Sequence, residues 1–242
     1  MKKYGLIGKT LEHSFSKKLF TEYFDEHRID AVYHNIALDR INDVQDVFEE
    51  GYAGLNVTIP YKEEIIPFLD ELDDVAEAVG AVNTILLKDG KRIGYNTDAF
   101  GFHQSIKPFL TNQHERAMIL GTGGASKAVA FVLRKIGLDI FYISRTPNEF
   151  NQYGYGEINE HMLNACKLMV NCTPVGTYPH VEESLPIPFE HLSKDHLVVD
   201  LIYNPEKTKL LQQSEKAGAM IVNGETMLKQ QALKAWKIWN DV

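Results

Sequence analysis

Short apolar runs bounded by turn residues alternate along this chain with stretches of helical periodicity, a pattern that predicts an α/β architecture. A buried strand is expected over 4–8. An amphipathic helix capped by Ser16 should follow, with Leu19, Phe20, Tyr23 and Phe24 on one face. Strands are expected over 31–37 and 54–59, with a helix over 40–50 between them that turns Ile41, Val44, Val47 and Phe48 inward. A helix over 73–79 precedes a hairpin, whose strands over 83–88 and 91–95 flank the turn pair Asp89-Gly90. After Asp98 the pattern changes. A connecting helix over 99–110 and a polar break over 111–115 lead to a strand over 116–120, a glycine turn and a helix over 127–136. Strands over 140–144, 168–171, 197–201 and 220–222 continue the βαβ rhythm of a doubly wound sheet. The last segment, 226–242, reads as an amphipathic helix carrying Met227, Leu228, Ala232, Ala235, Trp236 and Trp239.

Composition narrows the classes. The 242 residues suffice for one large domain or two ordinary ones, and 44% hydrophobic with 24% charged content is that of a soluble globular protein. A net charge of −8, with both signs mixed along the chain, argues against broad binding to nucleic acid or an anionic membrane. No apolar run approaches the roughly 20 residues of a membrane span, and the N-terminus turns polar too early for a signal peptide. Cys166 and Cys172 suggest neither a zinc site nor a disulfide framework, so a cytoplasmic home is expected. His13 and the other histidines lack metal-ligand spacing, and no metal is expected.

Candidate chemistry gathers where strands end. Asn56-Val-Thr-Ile-Pro-Tyr-Lys62 places Thr58 and Lys62 at a strand exit closed by Pro60. Asn83-Thr84 and Asn96-Thr97-Asp98 mark two more, so a small polyhydroxylated ligand and an acid/base pair are expected. Taken singly, these residues keep plainer readings: Lys62 as a helix-start lysine, Asp98 as a helix N-cap, Ser14 and Ser16 as caps or as carboxylate ligands. Gly121-Thr-Gly-Gly-Ala-Ser126 lies between a strand and a helix. There Gly121 permits the tight turn, Gly123 lets a pyrophosphate approach the backbone, and Ser126 is small enough for close helix packing. The next strand ends in Ser144-Arg145-Thr146, with no acid from Phe141 to Pro147. A guanidinium there suits a ribose 2′-phosphate that a carboxylate would repel, which selects NADP over NAD.

Together these motifs resemble the shikimate dehydrogenase family over nearly the whole chain. The resemblance extends to Gly80-Ala-Val-Asn-Thr84, Asn171-Cys-Thr-Pro-Val-Gly176, Asp200-Leu-Ile-Tyr-Asn-Pro205 and the late Met227-Leu-x-x-Gln231. It implies an NADP-dependent reduction of 3-dehydroshikimate to shikimate, with Lys62 and Asp98 as the catalytic pair. It also implies a substrate domain of 1–100 with 223–242, a Rossmann domain of 101–222, and a cleft between them. Ser14 and Ser16, helped by Tyr203, would hold the substrate carboxylate, and Thr58, Asn83, Asp98 and Gln231 the ring hydroxyls. Asn56 would support its loop. Gly121, Gly123, Gly124 and Ala125 would cradle the pyrophosphate, Arg145 and Thr146 the 2′-phosphate, with Thr173 and Gly224 near the nicotinamide. Ser144 stands where the family has Asn, and the short 147–160 region implies a thin adenine wall. A homodimer is compatible with this reading, and a small-molecule substrate is its main partner. Rival readings are an NAD-dependent quinate/shikimate dehydrogenase, a folate dehydrogenase of similar build, and a non-catalytic sensor of NADP or shikimate-like acids.

Overall fold

The computed structural model describes residues 1–11 and 14–240, so His13 and the last two residues of the helix expected over 226–242 lie outside it. The chain divides into two compact units, Met1–Thr97 with Ala232–Val242, and Asp98–Gln231. Among the described residues each unit is built on a six-stranded sheet.

The first unit runs β1 (Lys2–Gly8), α1 (Phe15–Glu26), β2 (Ala31–Ala37), α2 (Val44–Glu49), β3 (Gly54–Val57), β4 (Glu71–Leu72), α3 (Asp74–Val79), β5 (Thr84–Lys88) and β6 (Lys91–Tyr95). Its strand order is β2-β1-β3-β5-β6-β4. β1 pairs parallel with β2 and β3, whereas β5 runs antiparallel to β3 and β6. One group of core residues gathers Val44, Val47, Leu55, Val57, Tyr61, Ile65 and Ile85. The other is aromatic: Phe20 stacks on Tyr33 at 4.6 Å and Tyr4 on Trp239 at 4.8 Å. The absent side chain of Gly54 makes room for the Trp239 ring, whose Nε1 donates to the Ile85 carbonyl at 3.0 Å.

The second unit begins within α4 (Thr97–Ile106) and continues through β7 (Arg116–Leu120), α5 (Gly124–Lys135), β8 (Asp139–Ser144), β9 (Gln152–Gly154), α6 (Glu160–Ala165), β10 (Leu168–Asn171), β11 (Leu197–Asp200), α7 (Lys209–Lys216), β12 (Met220–Val222) and the start of α8 (Glu225–Asn240), which passes into the first unit at Ala232. The order β12-β11-β10-β7-β8-β9, with every pairing parallel, is the 3-2-1-4-5-6 arrangement of a dinucleotide-binding sheet. β7, β10 and β11 are buried almost throughout, as continuous apolar runs in a parallel sheet should be.

Several expectations need correction. Ser14, not Ser16, holds the N-cap of α1, because helical geometry begins at Phe15. Asp98 is not a cap: α4 starts one residue earlier, which puts Asp98 in its first turn. Lys62 stands in a run of turns rather than at a helix start, and α5 opens at Gly124 instead of Lys127. The strands β4 and β9 and the helices α6 and α7 were not foreseen. The first three are two to six residues long, too short to show a period.

Candidate functional site

Topology explains why scattered motifs of the first unit meet. β1 and β3 are parallel, so both end at one edge of the sheet. β5 is antiparallel to β3, so it begins at that edge, and β6 ends there. Ser14 and Ser16 follow β1, Thr58 and Lys62 follow β3, Asn83 precedes β5, and Asn96 and Thr97 follow β6. Polar residues at four strand ends thus share one edge.

That edge is braced by a buried amide network. Asn56 donates to the Asn83 carbonyl at 3.1 Å and to Thr84 Oγ1 at 3.0 Å, and accepts from the Tyr33 hydroxyl at 2.7 Å. Burial holds the Tyr33 phenol well above its ordinary pKa, so it remains a donor. Asn83 Oδ1 accepts the Thr97 backbone N–H at 2.7 Å, which satisfies the first orphan donor of α4, and Asn83 Nδ2 donates to Thr97 Oγ1 at 3.0 Å. Asn96 Nδ2 donates to the Ala81 carbonyl at 2.9 Å. The Lys62 carbonyl accepts from Val82 N–H at 2.7 Å, beside Asn83, while the Thr58 N–H donates to Ile7 at 2.8 Å. The turn at 58–62 is therefore tied to β1 and to the start of β5. Ser14 and Ser16 are half-buried, and Ser14 makes no side-chain capping bond to its own helix.

In the second unit the parallel sheet brings Gly121, Ser144, Thr173, Ile202 and Gly224 to the C-terminal edge. Gly121 has φ +96°, and a Cβ there would sit 2.8 Å from the Thr173 methyl, so only glycine fits. Gly123 caps the twelve-residue α5, and a Cβ placed on it would meet nothing within 4 Å. The backbone at Gly123 is thus open at the helix N-terminus that Gly124 and Ala125 begin, and Ser126 is folded back, its hydroxyl donating to the Gly123 carbonyl at 2.6 Å. Helix-terminal N–H groups with positive dipole character fit a pyrophosphate. Arg145 and Thr146 are exposed just past β8, and Ser144 Oγ accepts the Thr146 N–H at 3.2 Å, a local turn that bends the chain there. The residues present therefore fit a dinucleotide bearing a 2′-phosphate.

Close packing places the remaining residues. A Cβ on Gly101 would lie 2.6 Å from the Met227 carbonyl and 3.0 Å from Gln231 Cβ, so α8 carries Gln231 hard against the first turns of α4, where Asp98 stands. Gly224 donates to the Ile202 carbonyl at 3.0 Å, one residue before Tyr203.

Asp200 ends β11 fully buried. It accepts from Asn171 Nδ2, the Ile202 N–H and the Thr208 hydroxyl at 3.0, 3.0 and 2.6 Å. These donors favour the carboxylate, but burial outweighs them and raises its pKa to about 6. Burial also pushes the Cys172 thiol up, with the Asp200 charge adding to it, so Cys172 is no thiolate nucleophile. Tyr33 and Thr208 escaped the sequence reading, and Thr97 was marked only as part of a polar strand end, because their work is to hold other site residues. The motifs containing Asn171 and Asp200 marked those positions without revealing the bond between them.

Residues 6–85 match the family model described as the shikimate dehydrogenase substrate binding domain. A shikimate dehydrogenase (NADP(+)) of Methanosphaera stadtmanae is 36% identical, over 97% of this chain and 90% of its own length. A crystal structure of a shikimate dehydrogenase in complex with NADP+ superposes with a TM-score of 0.89 at 35% identity, covering 100% of this chain and 91% of that one. The Thermus thermophilus shikimate 5-dehydrogenase, solved with NADP(H) and shikimate, gives 0.87 at 29% identity, with 100% and 94% covered.

Proposed function

We propose, from the premise that this chain belongs to the shikimate dehydrogenase family, that it catalyses the NADP-dependent reversible reduction of 3-dehydroshikimate to shikimate. The observation that carries the reading is the second unit's 3-2-1-4-5-6 sheet with an open glycine turn after its first strand and Arg145-Thr146 after its second. No acid stands at that strand exit to prefer the unphosphorylated ribose of NAD, which speaks against the NAD-dependent alternative.

NADPH, when bound, supplies the hydride to the ring carbonyl carbon. Lys62 delivers the proton to the carbonyl oxygen as the alkoxide develops, with Asp98 as its partner in the acid/base pair. Ser14 and Ser16, with Tyr203, take the substrate carboxylate, which suits hydroxyls at the N-terminus of a twelve-residue helix. Thr58, Asn83 and Gln231 take ring hydroxyls. The Asn56–Asn83–Thr97 network supports this role by fixing the Asn83 amide before substrate arrives. Gly121, Gly123, Gly124 and Ala125 hold the pyrophosphate, and Arg145 and Thr146 hold the 2′-phosphate. Ser144 acts through its bond to the Thr146 N–H. Thr173 and Gly224 border the nicotinamide. Residence in the cytoplasm belongs to this reading and is supported by two free cysteines. A homodimer is compatible with this reading, since β2 is an edge strand with no further strand paired to it on its outer side among the described residues. A monomer mass by light scattering removes it.

Absorbance of the reduced cofactor, with NADP against NAD and shikimate against quinate, tests the activity. Turnover with shikimate and NADP is expected to dominate. No turnover with any pair would leave only a binding protein. Lys62→Ala is expected to lower kcat by roughly 10²–10⁴-fold with KM nearly unchanged, and near-wild-type turnover removes Lys62 from the chemistry.

A further inference from the structure

We propose that Asp200 is a positioning residue that fixes the exits of β10 and β11 to one another, and through them the loops carrying Thr173 and Tyr203. The role rests on the activity proposed above.

The donors around Asp200 leave little freedom. Asn171 ends β10 in register with Asp200 at the end of β11. Asn171 Oδ1 accepts the Thr173 backbone N–H at 2.9 Å and its hydroxyl at 2.7 Å. A backbone N–H can only donate, so the amide is held with Nδ2 facing Asp200. Asp200 Oδ1 takes that Nδ2 together with the Ile202 N–H, which again can only donate. One carboxylate oxygen therefore joins both strand exits. The second oxygen takes Thr208, the N-cap of α7, whose Oγ1 also accepts the Leu211 N–H at 3.3 Å.

What these bonds hold is the C-terminal edge of the sheet. The Thr173 methyl lies against Gly121, so the Asn171 clamp seats the β10 exit on the glycine turn. The Ile202 carbonyl accepts from Gly224, so the β11 exit carries the start of α8 and leads directly into Tyr203. A fully buried carboxylate is costly to keep charged, and apolar residues hold the strands themselves equally well. Its distinctive contribution is directional: three donors from three segments are fixed at hydrogen-bond precision. The exit of β8, which carries Arg145 and Thr146, takes no part in this network. The nicotinamide end of the site depends on Asp200, and the adenosine end does not.

The test is Asp200→Asn, which keeps the shape while making the shared acceptor neutral and weaker. Wild-type turnover of shikimate with NADP is measured first, and its absence overturns the functional reading rather than the clamp. Given that turnover, the folded variant is expected to lose about tenfold to a hundredfold in kcat, the scale of a reacting group misplaced by a fraction of an ångström to an ångström. Inhibition by adenosine 2′,5′-bisphosphate, a mimic of the adenosine half, should stay within about twofold of wild type by the same localisation. A kcat within twofold of wild type overturns the role, and so does a parallel loss of adenosine 2′,5′-bisphosphate binding, which would mark general damage. Should Asp200→Asn fail to fold, Thr173→Val and Thr173→Ser decide. The role requires the serine variant, which retains the hydroxyl donated to Asn171, to keep most of the kcat that the valine variant loses. Equal kcat in the two variants overturns it.

Discussion

Two histidines show how a single side chain sets a pH dependence. His114 Nδ1 accepts the Thr111 N–H at 3.0 Å, and His196 Nδ1 accepts the Ser193 N–H at 3.0 Å while its Nε2 donates to the Leu163 carbonyl at 2.9 Å. Each acceptor nitrogen must be unprotonated, and burial lowers both pKa values from the ordinary histidine range. His114 Nε2 is also buried without a partner among the described residues. The unfolded chain then binds protons more readily than the fold below about pH 6.5, so the histidine contribution is complete above that value and is lost as pH falls. Asp200 has the opposite sign, because its raised pKa makes the folded state the better proton acceptor between about 4 and 6. The histidine slope should therefore be cleanest between pH 7 and 6. His114→Gln, which retains a hydrogen-bond acceptor, is expected to lower that slope in urea unfolding. An unchanged slope would show that His114 is not neutral in the fold. The sequence displayed every histidine, and Thr111 and Ser193 stand only three residues before them, but the burial that lowers these two pKa values comes from packing and has no local signature.

Elements bear on the site mainly through close approach of their backbones. Gly224 stands where a Cβ would overlap the Leu201 carbonyl, and backbone cannot move aside cheaply. Gly224→Ala is expected to cost about 1–3 kcal/mol in stability by overpacking, read from urea midpoints at constant m-value. A neutral result would mean that the β11 exit yields freely, and that it is not held by Asp200 and Gly224. Long, strongly periodic elements were legible in the sequence: β1, β2, the β5–β6 hairpin and the strand-turn-helix of β7 and α5 lie close to their expected positions. Short ones such as β4 and α6 were not, because two to six residues contain too few periods to distinguish helix from strand. The N-terminal boundary of α4 was missed by two residues for a tertiary reason. Asn83, fourteen residues upstream, supplies the acceptor that lets the helix begin at Thr97.

At the scale of the whole molecule, the C-terminal segment belongs with the first unit although the chain passes through the second before reaching it. Trp239 fills the space above Gly54 and stacks on Tyr4, so Trp239→Ala should cost about 3–5 kcal/mol, with amide protection lost chiefly in β1, β3 and β5. Protection lost evenly over both sheets would contradict that assignment. The sequence by itself determined the α/β class, the dinucleotide turn, the basic strand exit that selects NADP and the motifs of the family, because each is written in neighbouring residues. Only the tertiary structure decided that four polar strand ends share one sheet edge, that Asn83 caps α4, and that Asn171 and Asp200 clamp two exits together. Strand order and register bring residues 14 to 154 positions apart into contact, and no local pattern of apolar and polar residues encodes such partners.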